Sequence, residues 1–391
     1  MRILIVHSQN PFPADNGGKL RAAHVAAYLA RKHPVAFVCF GDAQQAKASM
    51  EDIPFHQVRV FAPPAVPRRW RSVLTPMPTE VVAYRSHEMR TGLHALIESF
   101  APDVLLTFDP AMAPYLSAYD RQVRVLDYLM VLTLSLARMA ALESGWSQLP
   151  WHMRWYKQAW FHRRIAPMFD LCLVNSREDL EDLQARGDGW QRIEFVPNGV
   201  HLDDYPLALA VPDPLKVVYP GSVRYPPNRD AVKYFIDEIL PRIRQSVPEV
   251  QLLVTGEKPH DQSAPMADGV SYTGYVPDVR AIVAGSSICV VPLRSGAGGA
   301  RYKVLESLAL GTPIVSTSIG AEGLDFQPGH DLVIADHPAD FAAETIRLLS
   351  SAGDRDRLAA AGRELIEKRY NWDVLGDQIL AMLDELIARK K

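Results

Sequence analysis

The chain has 391 residues, 48% of them hydrophobic and 22% charged, with a formal net charge of −3. That length is too great for one ordinary core and implies two or three domains of a globular enzyme. The near-neutral charge gives no global drive toward nucleic acid, and no apolar run reaches the roughly 18–20 residues that span a bilayer. The N-terminus, MRILIVHSQNPF, is too short and wrongly flanked for a signal peptide and reads as a first strand. Cys39, Cys172 and Cys289 each sit in a separate apolar strand pattern. Buried thiols in a reducing, cytoplasmic compartment are therefore expected, rather than a disulfide or a metal site.

Apolar runs recur at Ile3–His7, Val35–Phe40, Val58–Phe61, Val104–Phe108, Val123–Leu126, Leu171–Val174 and Ile193–Val196. Helical patterns at Lys19–Arg31, Met89–Phe100, Trp151–Ala166 and Glu178–Arg186 separate most of them. Strands apolar on both faces, alternating with helices, predict an α/β fold with a parallel doubly wound sheet. The first strand runs into HSQNPFPADNGGK, not into G-x-G-x-x-G. Gly17 and Gly18 thus open the first helix, with Asp15 or Asn16 as cap, and let a backbone amide approach a phosphate or a hydroxyl. A plain N-terminal turn is the alternative. Arg21 follows one turn later, as a further candidate or an ordinary solvated arginine. Asp127 ends the run VRVLD, where the carboxyl end of a parallel strand meets the ligand crevice; a helix N-cap is the competing reading. His7 closes the first strand in similar geometry.

Ser144–Phe169 has no acidic residue but contains Arg154, Lys157, Arg163 and Arg164 among Trp146, Trp151, Trp155 and Trp160. Such interleaving suits a membrane surface or a nucleic-acid surface. On a helical wheel, Trp151 and Trp155 lie together and Trp160 nearly opposite, so a clean amphipathic face is missing. The segment reads as a long helix partly packed on the sheet.

Pro197-Asn198-Gly199-Val200 closes the first half, and proline-rich Pro206–Pro214 reads as the linker. The boundaries expected are 1–203, 204–375 and a tail 376–391. Six further apolar runs predict a second doubly wound sheet, with Gly221-Ser222 and Gly256-Glu257 ending strands beside a cleft. The richest stretch is Pro292–Glu322. After the strand Ile288–Leu293 come a turn holding Gly298 and Gly299, a helical pattern through Tyr302, Leu305 and Leu308, and a second strand Pro313–Ser318. Strand, glycine-rich turn and helix start hold phosphate through bare N–H groups and the positive helix end. Arg301 and Lys303 add full charge, and Glu306, one turn on, can accept hydrogen bonds from a sugar's vicinal hydroxyls. A diphosphate beside a ribose is the ligand suggested; an ordinary loop and a solvated glutamate are the alternative. The last pattern, Trp372 to about Arg389, is an amphipathic helix.

With its continuation ESLALGTPIVST, this stretch resembles the donor site of the group-1 (family 4-like) retaining glycosyltransferases, whose GT-B fold sets two Rossmann-like domains face to face. There, two acidic residues separated by seven others close on the donor. The second matches Glu306, and the first falls on Gly298. Some branches carry a glycine-rich turn with Arg-x-Lys at this place, as Arg301 and Lys303 do here. After Gly221 the family commonly places an Arg and, six residues later, a Lys for the diphosphate; this chain has Ser222 and Asn228, with Arg224 and Arg229 off register. Gly17-Gly18 matches a loop between donor phosphate and acceptor, and Tyr272–Pro277, with Tyr275, matches a loop that cradles the base. Asp127 falls where relatives use a His or Asp on the sugar or the acceptor. Chains of this kind carry a P-N-G-V at the domain junction, and their C-terminal helix crosses back to the first domain.

The resemblance implies transfer of a sugar from a nucleoside diphosphate donor to a hydroxyl of a glycan, lipid-linked or small-molecule acceptor, with retention of configuration. Asp127, Arg301 and Lys303 are the catalytic residues it suggests. Gly17, Gly18, Gly221, Ser222, Arg224, Gly256, Tyr275, Gly298, Gly299 and Glu306 would bind the donor. Positive side chains replace a metal ion, so neither a metal nor another cofactor is expected. No nucleic-acid partner is expected, and the location implied is cytoplasmic, with peripheral contact at the inner membrane face as an extension. Rival readings are an epimerase or hydrolase of the same fold, a non-catalytic nucleotide-sugar binding protein and, against the missing glycine fingerprint, a nicotinamide dehydrogenase.

Overall fold

The computed structural model describes residues 1–14, 17–64, 75–141, 144–257, 264–295 and 302–390. They divide into two compact units, Met1–Pro197 with Leu375–Lys391, and Asn198–Val374.

In the first unit the strands are β1 (Ile3–His7), β2 (Val35–Phe40), β3 (Gln57–Phe61), β4 (Val104–Thr107), β5 (Val123–Asp127), β6 (Leu171–Val174) and β7 (Ile193–Phe195). Among the described residues they form one sheet, ordered β3-β2-β1-β4-β5-β6-β7, with parallel pairing throughout. β1, β2, β4, β5 and β6 are buried along their whole length, as a sheet covered on both faces requires. The chain runs from β1 out to β3, then returns to the other side of β1 as β4. His7 and Thr107 therefore end the two strands at the topological switch point, where open α/β sheets bind ligands.

Helices cover the sheet because their apolar residues recur with the helical period. In His87–Phe100 these are Met89, Leu93, Leu96, Ile97 and Phe100, all buried. Ser86 caps that helix by accepting a hydrogen bond from the Met89 amide at 3.2 Å. Leu4, Val6, Val38, Phe40, Leu126 and Tyr128 join Leu93, Leu96, Phe161 and Ile165 in one core cluster. Strand alternation then turns Asp127, between Leu126 and Tyr128, to the opposite face. The C-terminal helix Trp372–Lys390 is tied to this unit at both ends of its run from Leu375. Tyr28 hydrogen-bonds Asp377, Arg192 pairs with Glu385 at 2.8 Å and Lys390 with Asp170 at 2.8 Å.

The helix Leu149–Ile165 buries Gln158, Phe161, His162 and Ile165. Its outward side carries exposed Leu149, Met153, Tyr156 and Trp160. A clean apolar face does exist, contrary to the wheel read from tryptophans alone. Trp151 and Trp155 sit half-buried on other sides, under the guanidinium groups of Arg154 and Arg186.

In the second unit the strands are β8 (Asp213–Tyr219), β9 (Gln251–Val254), β10 (Val270–Tyr272), β11 (Ser286–Val291), β12 (Ile314–Ser316) and β13 (Val333–Ile334). The order among the described residues is β10-β9-β8-β11-β12-β13, again parallel throughout. The switch point falls between β8 and β11. The helix Tyr302–Ala309 buries Val304, Leu305 and Leu308, which leaves Lys303 and Glu306, three residues apart, on one partly exposed side. Cys39, Cys172 and Cys289 are free and buried.

Candidate functional site

At the carboxyl end of β8, the Lys303 ammonium donates to the Tyr219 hydroxyl at 3.0 Å and to Asn228 Oδ1 at 3.1 Å. It also lies 4.3 Å from the centre of the Tyr219 ring, within cation–π range. Tyr219 in turn donates to Asn228 Oδ1 at 2.8 Å, and Asn228 Nδ2 donates to the Ser222 carbonyl at 2.9 Å. A phenol and an amide thus fix a positive charge beside the backbone of Gly221 and Ser222. Gly221 is the residue that makes room. Its φ is +147°, and a Cβ there would stand 2.9 Å from Asn228 Nδ2 and 3.0 Å from Lys303 Nζ. Its amide donates to Thr255 Oγ1 at 3.0 Å.

Gly256, φ +86°, brings β9 against the same turn: a Cβ there would lie 2.8 Å from the Ser222 backbone. A bridge from Gly256 to Gly274 draws in the loop that carries Tyr275, itself three-quarters exposed. Gly221, Ser222, Gly256, Gly274 and Lys303 are therefore one neighbourhood. Arg224 is engaged elsewhere in that neighbourhood, in an ion pair with Glu257, and Arg229 donates to the Val223 carbonyl at 3.2 Å.

Glu306 accepts a hydrogen bond from Tyr205 at 2.9 Å. Burial pushes its carboxyl above the ordinary range, opposed by the Tyr205 hydrogen bond and by the charges of Lys303 and Arg280. Burial and the neighbouring carboxylate push the Tyr205 phenol up as well, so it stays a donor. Gly298, Gly299 and Arg301 lie outside the described residues, as do Asp15 and Asn16.

In the first unit, Asp127 is wholly buried and pairs with equally buried Arg21, Nε to Oδ1 at 2.7 Å. Arg21 also donates to the Pro197 carbonyl at 3.0 Å, tying the first helix to the segment that leaves the unit. Burial raises the Asp127 carboxyl and Arg21 pulls it back, while Oδ2 has no hydrogen-bond partner. His7 accepts the Ser8 amide proton on Nδ1 at 2.9 Å, so its own proton sits on Nε2, a buried atom with no partner. Burial lowers its pKa to about 4, which keeps it neutral near pH 7. Gly17 and Gly18 form the first turn of the helix Gly17–Lys32. Among the described residues, no three His, Cys, Asp or Glu side chains converge as a metal-binding group.

A family model described as "Glycosyl transferase 4-like domain" matches residues 16–199, and one described as "Glycosyl transferases group 1" matches residues 214–351. Between them they span most of the chain, one on each unit. The chain belongs to the group-1 glycosyltransferases.

Among curated relatives, a phosphatidyl-myo-inositol mannosyltransferase of Mycobacterium leprae (strain TN) is 30% identical over 205 residues, 48% of this chain and 52% of that protein. A GDP-mannose-dependent monoacylated alpha-(1-6)-phosphatidylinositol monomannoside mannosyltransferase of Corynebacterium glutamicum is 23% identical over 265 residues, 62% of this chain and 67% of that one. The match spans about half the length of the first of these relatives. In solved structures, Anabaena HepE in complex with UDP gives a TM-score of 0.67 at 13% identity, covering 98% of this chain and 100% of that one. A glycosyltransferase of Rickettsia africae ESF-5 gives 0.68 at 12%, covering 100% and 99%. These likenesses fix the fold as GT-B.

The Lys303 ammonium reaches Asn228 from the helix after β11. Spacing along the chain pointed to Lys303 and Glu306, and the family resemblance to the place of Asn228, but neither pointed to Tyr205, Tyr219 or Thr255, which help to hold them and the Gly221 turn. Tyr219 ends a strand at the switch point, which is the one signal that marks it; the others have none.

Proposed function

We propose that this group-1 glycosyltransferase moves a sugar from a nucleoside diphosphate sugar to an acceptor hydroxyl with retention of configuration. The observation that carries the reading is the Lys303 ammonium fixed between Tyr219 and Asn228 beside a turn that only glycine can form. A leaving diphosphate gains negative charge as its bond to the sugar breaks. A cation already in place stabilises that charge without reorganising. The helix that begins at Tyr302 adds its positive end, and Arg301, by its place in the sequence, a second cation. Glu306 takes the ribose hydroxyls with the carboxylate that Tyr205 orients. Tyr275 flanks the base.

In this route the C1–oxygen bond to the diphosphate breaks while a C1–oxygen bond to the acceptor forms on the same face, and the acceptor proton passes to the departing diphosphate. Asp127, enclosed with Arg21, acts as a positioning residue within the first unit. Lys303 supplies the charge that a divalent cation would otherwise bring, so turnover persists in excess chelator. The names of the relatives and neighbours suggest two donors to try first, a UDP-sugar and GDP-mannose, and a lipid-borne inositol among the acceptors. Thermal shift with each nucleoside diphosphate and its sugar is the first test, since stabilisation at 100 times Kd is about 2.7 kcal/mol. Turnover with acceptor, read by the anomeric configuration of the product, is the second. No shift with any donor overturns the reading. Donor breakdown without an acceptor would make the protein an epimerase or hydrolase, and binding without turnover a nucleotide-sugar receptor.

A further inference from the structure

The helix Leu149–Ile165 has an outward face without a function in the transfer reaction. Leu149, Met153, Tyr156 and Trp160 follow one another at 4-3-4 spacing and fall within about 60° of the helix circumference. They are 51%, 45%, 68% and 37% exposed. In the turn Gly145–Gln148 just before the helix, Trp146 is 90% exposed. Lys157 and Arg164 flank the stripe on one side, with the Arg164 guanidinium 4.9 Å from the Trp160 ring centre. His152 and Arg163 flank it on the other, and Arg163 also reaches Asp188 at 3.3 Å. From Ser144 to Phe169 there is no acidic residue, although the chain as a whole is acidic by three charges. No helix among the described residues is long and apolar enough to cross a membrane.

We infer that this face docks the protein on the surface of an anionic lipid bilayer, with the stripe at the level of the acyl boundary and the basic flanks among the headgroups. A helix lying in an interface needs an apolar face bordered by cations, and aromatic residues prefer that depth. Charge decides between a bilayer and a second copy of the chain. A two-fold self-contact is isologous, so pairing the stripe with itself would set Lys157 and Arg164 against their own copies and repel. An anionic surface attracts the same groups. The inference is independent of the donor reading, since its residues lie on another element and its readout needs no turnover.

The test is flotation of the full chain with vesicles of phosphatidylcholine alone and of phosphatidylcholine mixed with phosphatidylglycerol. Binding to the anionic vesicles, weakened by salt, is expected. Lys157→Gln with Arg164→Gln should lower affinity about 25-fold, at roughly five-fold per charge. Met153→Ser with Trp160→Ser should lower it at least about ten-fold through lost apolar burial. Because Met153, Trp160 and Arg164 are exposed and Lys157 half-buried, with none of the four in the core, circular dichroism should remain unchanged. Brominated lipid should quench tryptophan fluorescence, less so after Trp146→Phe. Absence of flotation overturns the inference, and so does flotation that neither double variant weakens. A dimer in light scattering that Met153→Ser with Trp160→Ser abolishes would also overturn it, by making the stripe a self-contact.

Discussion

Lys303 Nζ stands 3.1 Å from Asn228 Oδ1, across 75 residues of sequence. The resemblance to group-1 glycosyltransferases puts a lysine at the place of Asn228, seven residues after Gly221. The positive charge beside Gly221 comes from Lys303, on the helix after β11. The Asn228 amide oxygen accepts a hydrogen bond from that ammonium.

If place rather than chain position matters, the charge can be moved back. Lys303→Asn should lower kcat about 100-fold, the scale of losing one donor to a developing anion. Adding Asn228→Lys to that variant should recover at least ten-fold. Steady-state kinetics on both variants check this, and a double variant no faster than Lys303→Asn would show that the helix position itself is required.

Glu306 ties pH to both binding and stability. Its folded pKa is raised by burial, so donor affinity should fall on acidification at a pH above the ordinary glutamate range. Tyr205→Phe removes a hydrogen bond that favours the carboxylate and should shift the fall to still higher pH, a change that titration calorimetry across pH resolves. Glu306→Ala should weaken the donor about 10- to 100-fold, the value of a charge-assisted hydrogen bond. The sign for stability is opposite. A carboxyl with a raised folded pKa loses stability as pH rises past its unfolded value and regains it on acidification. Glu306→Gln should therefore lose activity yet melt higher near neutral pH, by about 2–4 °C per kcal/mol recovered.

Gly221→Ala places a methyl group 3.0 Å from Lys303 Nζ at a backbone angle that L-residues avoid. The strain should cost about 1–3 kcal/mol, and the displaced ammonium should lower kcat more than it raises KM. Denaturant melts together with kinetics separate the two. A variant that is merely less stable, with unchanged kcat, would detach Gly221 from the transition state.

In the first unit, Arg21→Met leaves Asp127 buried without its cation. Breaking such a pair costs about 3–5 kcal/mol, and Asp127→Asn added to it should restore part of the loss. The burial that raises Asp127 then acts unopposed, so Arg21→Met should lose further stability as pH rises above the ordinary aspartate range and regain it in acid. Melting curves from acid to neutral pH check the sign. If Asp127 positions and does not touch the acceptor, Asp127→Asn alone should change acceptor KM and kcat together and leave the pH profile of kcat unmoved.

The strands were legible in the sequence for a physical reason. A strand covered on both faces is apolar over most of its length, which marked Ile3–His7 and the run from Ile288; the start of the latter strand at Ser286 and Ser287 was not marked, because serine carries no such pattern. Lys303 and Glu306 were legible because three residues is one helical turn, so spacing alone sets both on one side. Their surroundings were not, because Tyr205 meets Glu306 across 101 residues and Tyr219 meets Lys303 across 84. Arg21 likewise meets Asp127 across 106. Those contacts depend on sheet order: placing β8 beside β11 carries Tyr219 and Asn228 to the helix that follows β11. The stripe of Leu149, Met153, Tyr156 and Trp160 shows the same division. Its 4-3-4 spacing is written in the chain, but a helical spacing states only which residues share a side. Which side turns outward is settled by the side that Phe161, His162 and Ile165 can bury against the sheet, and that choice exists only once the sheet has formed.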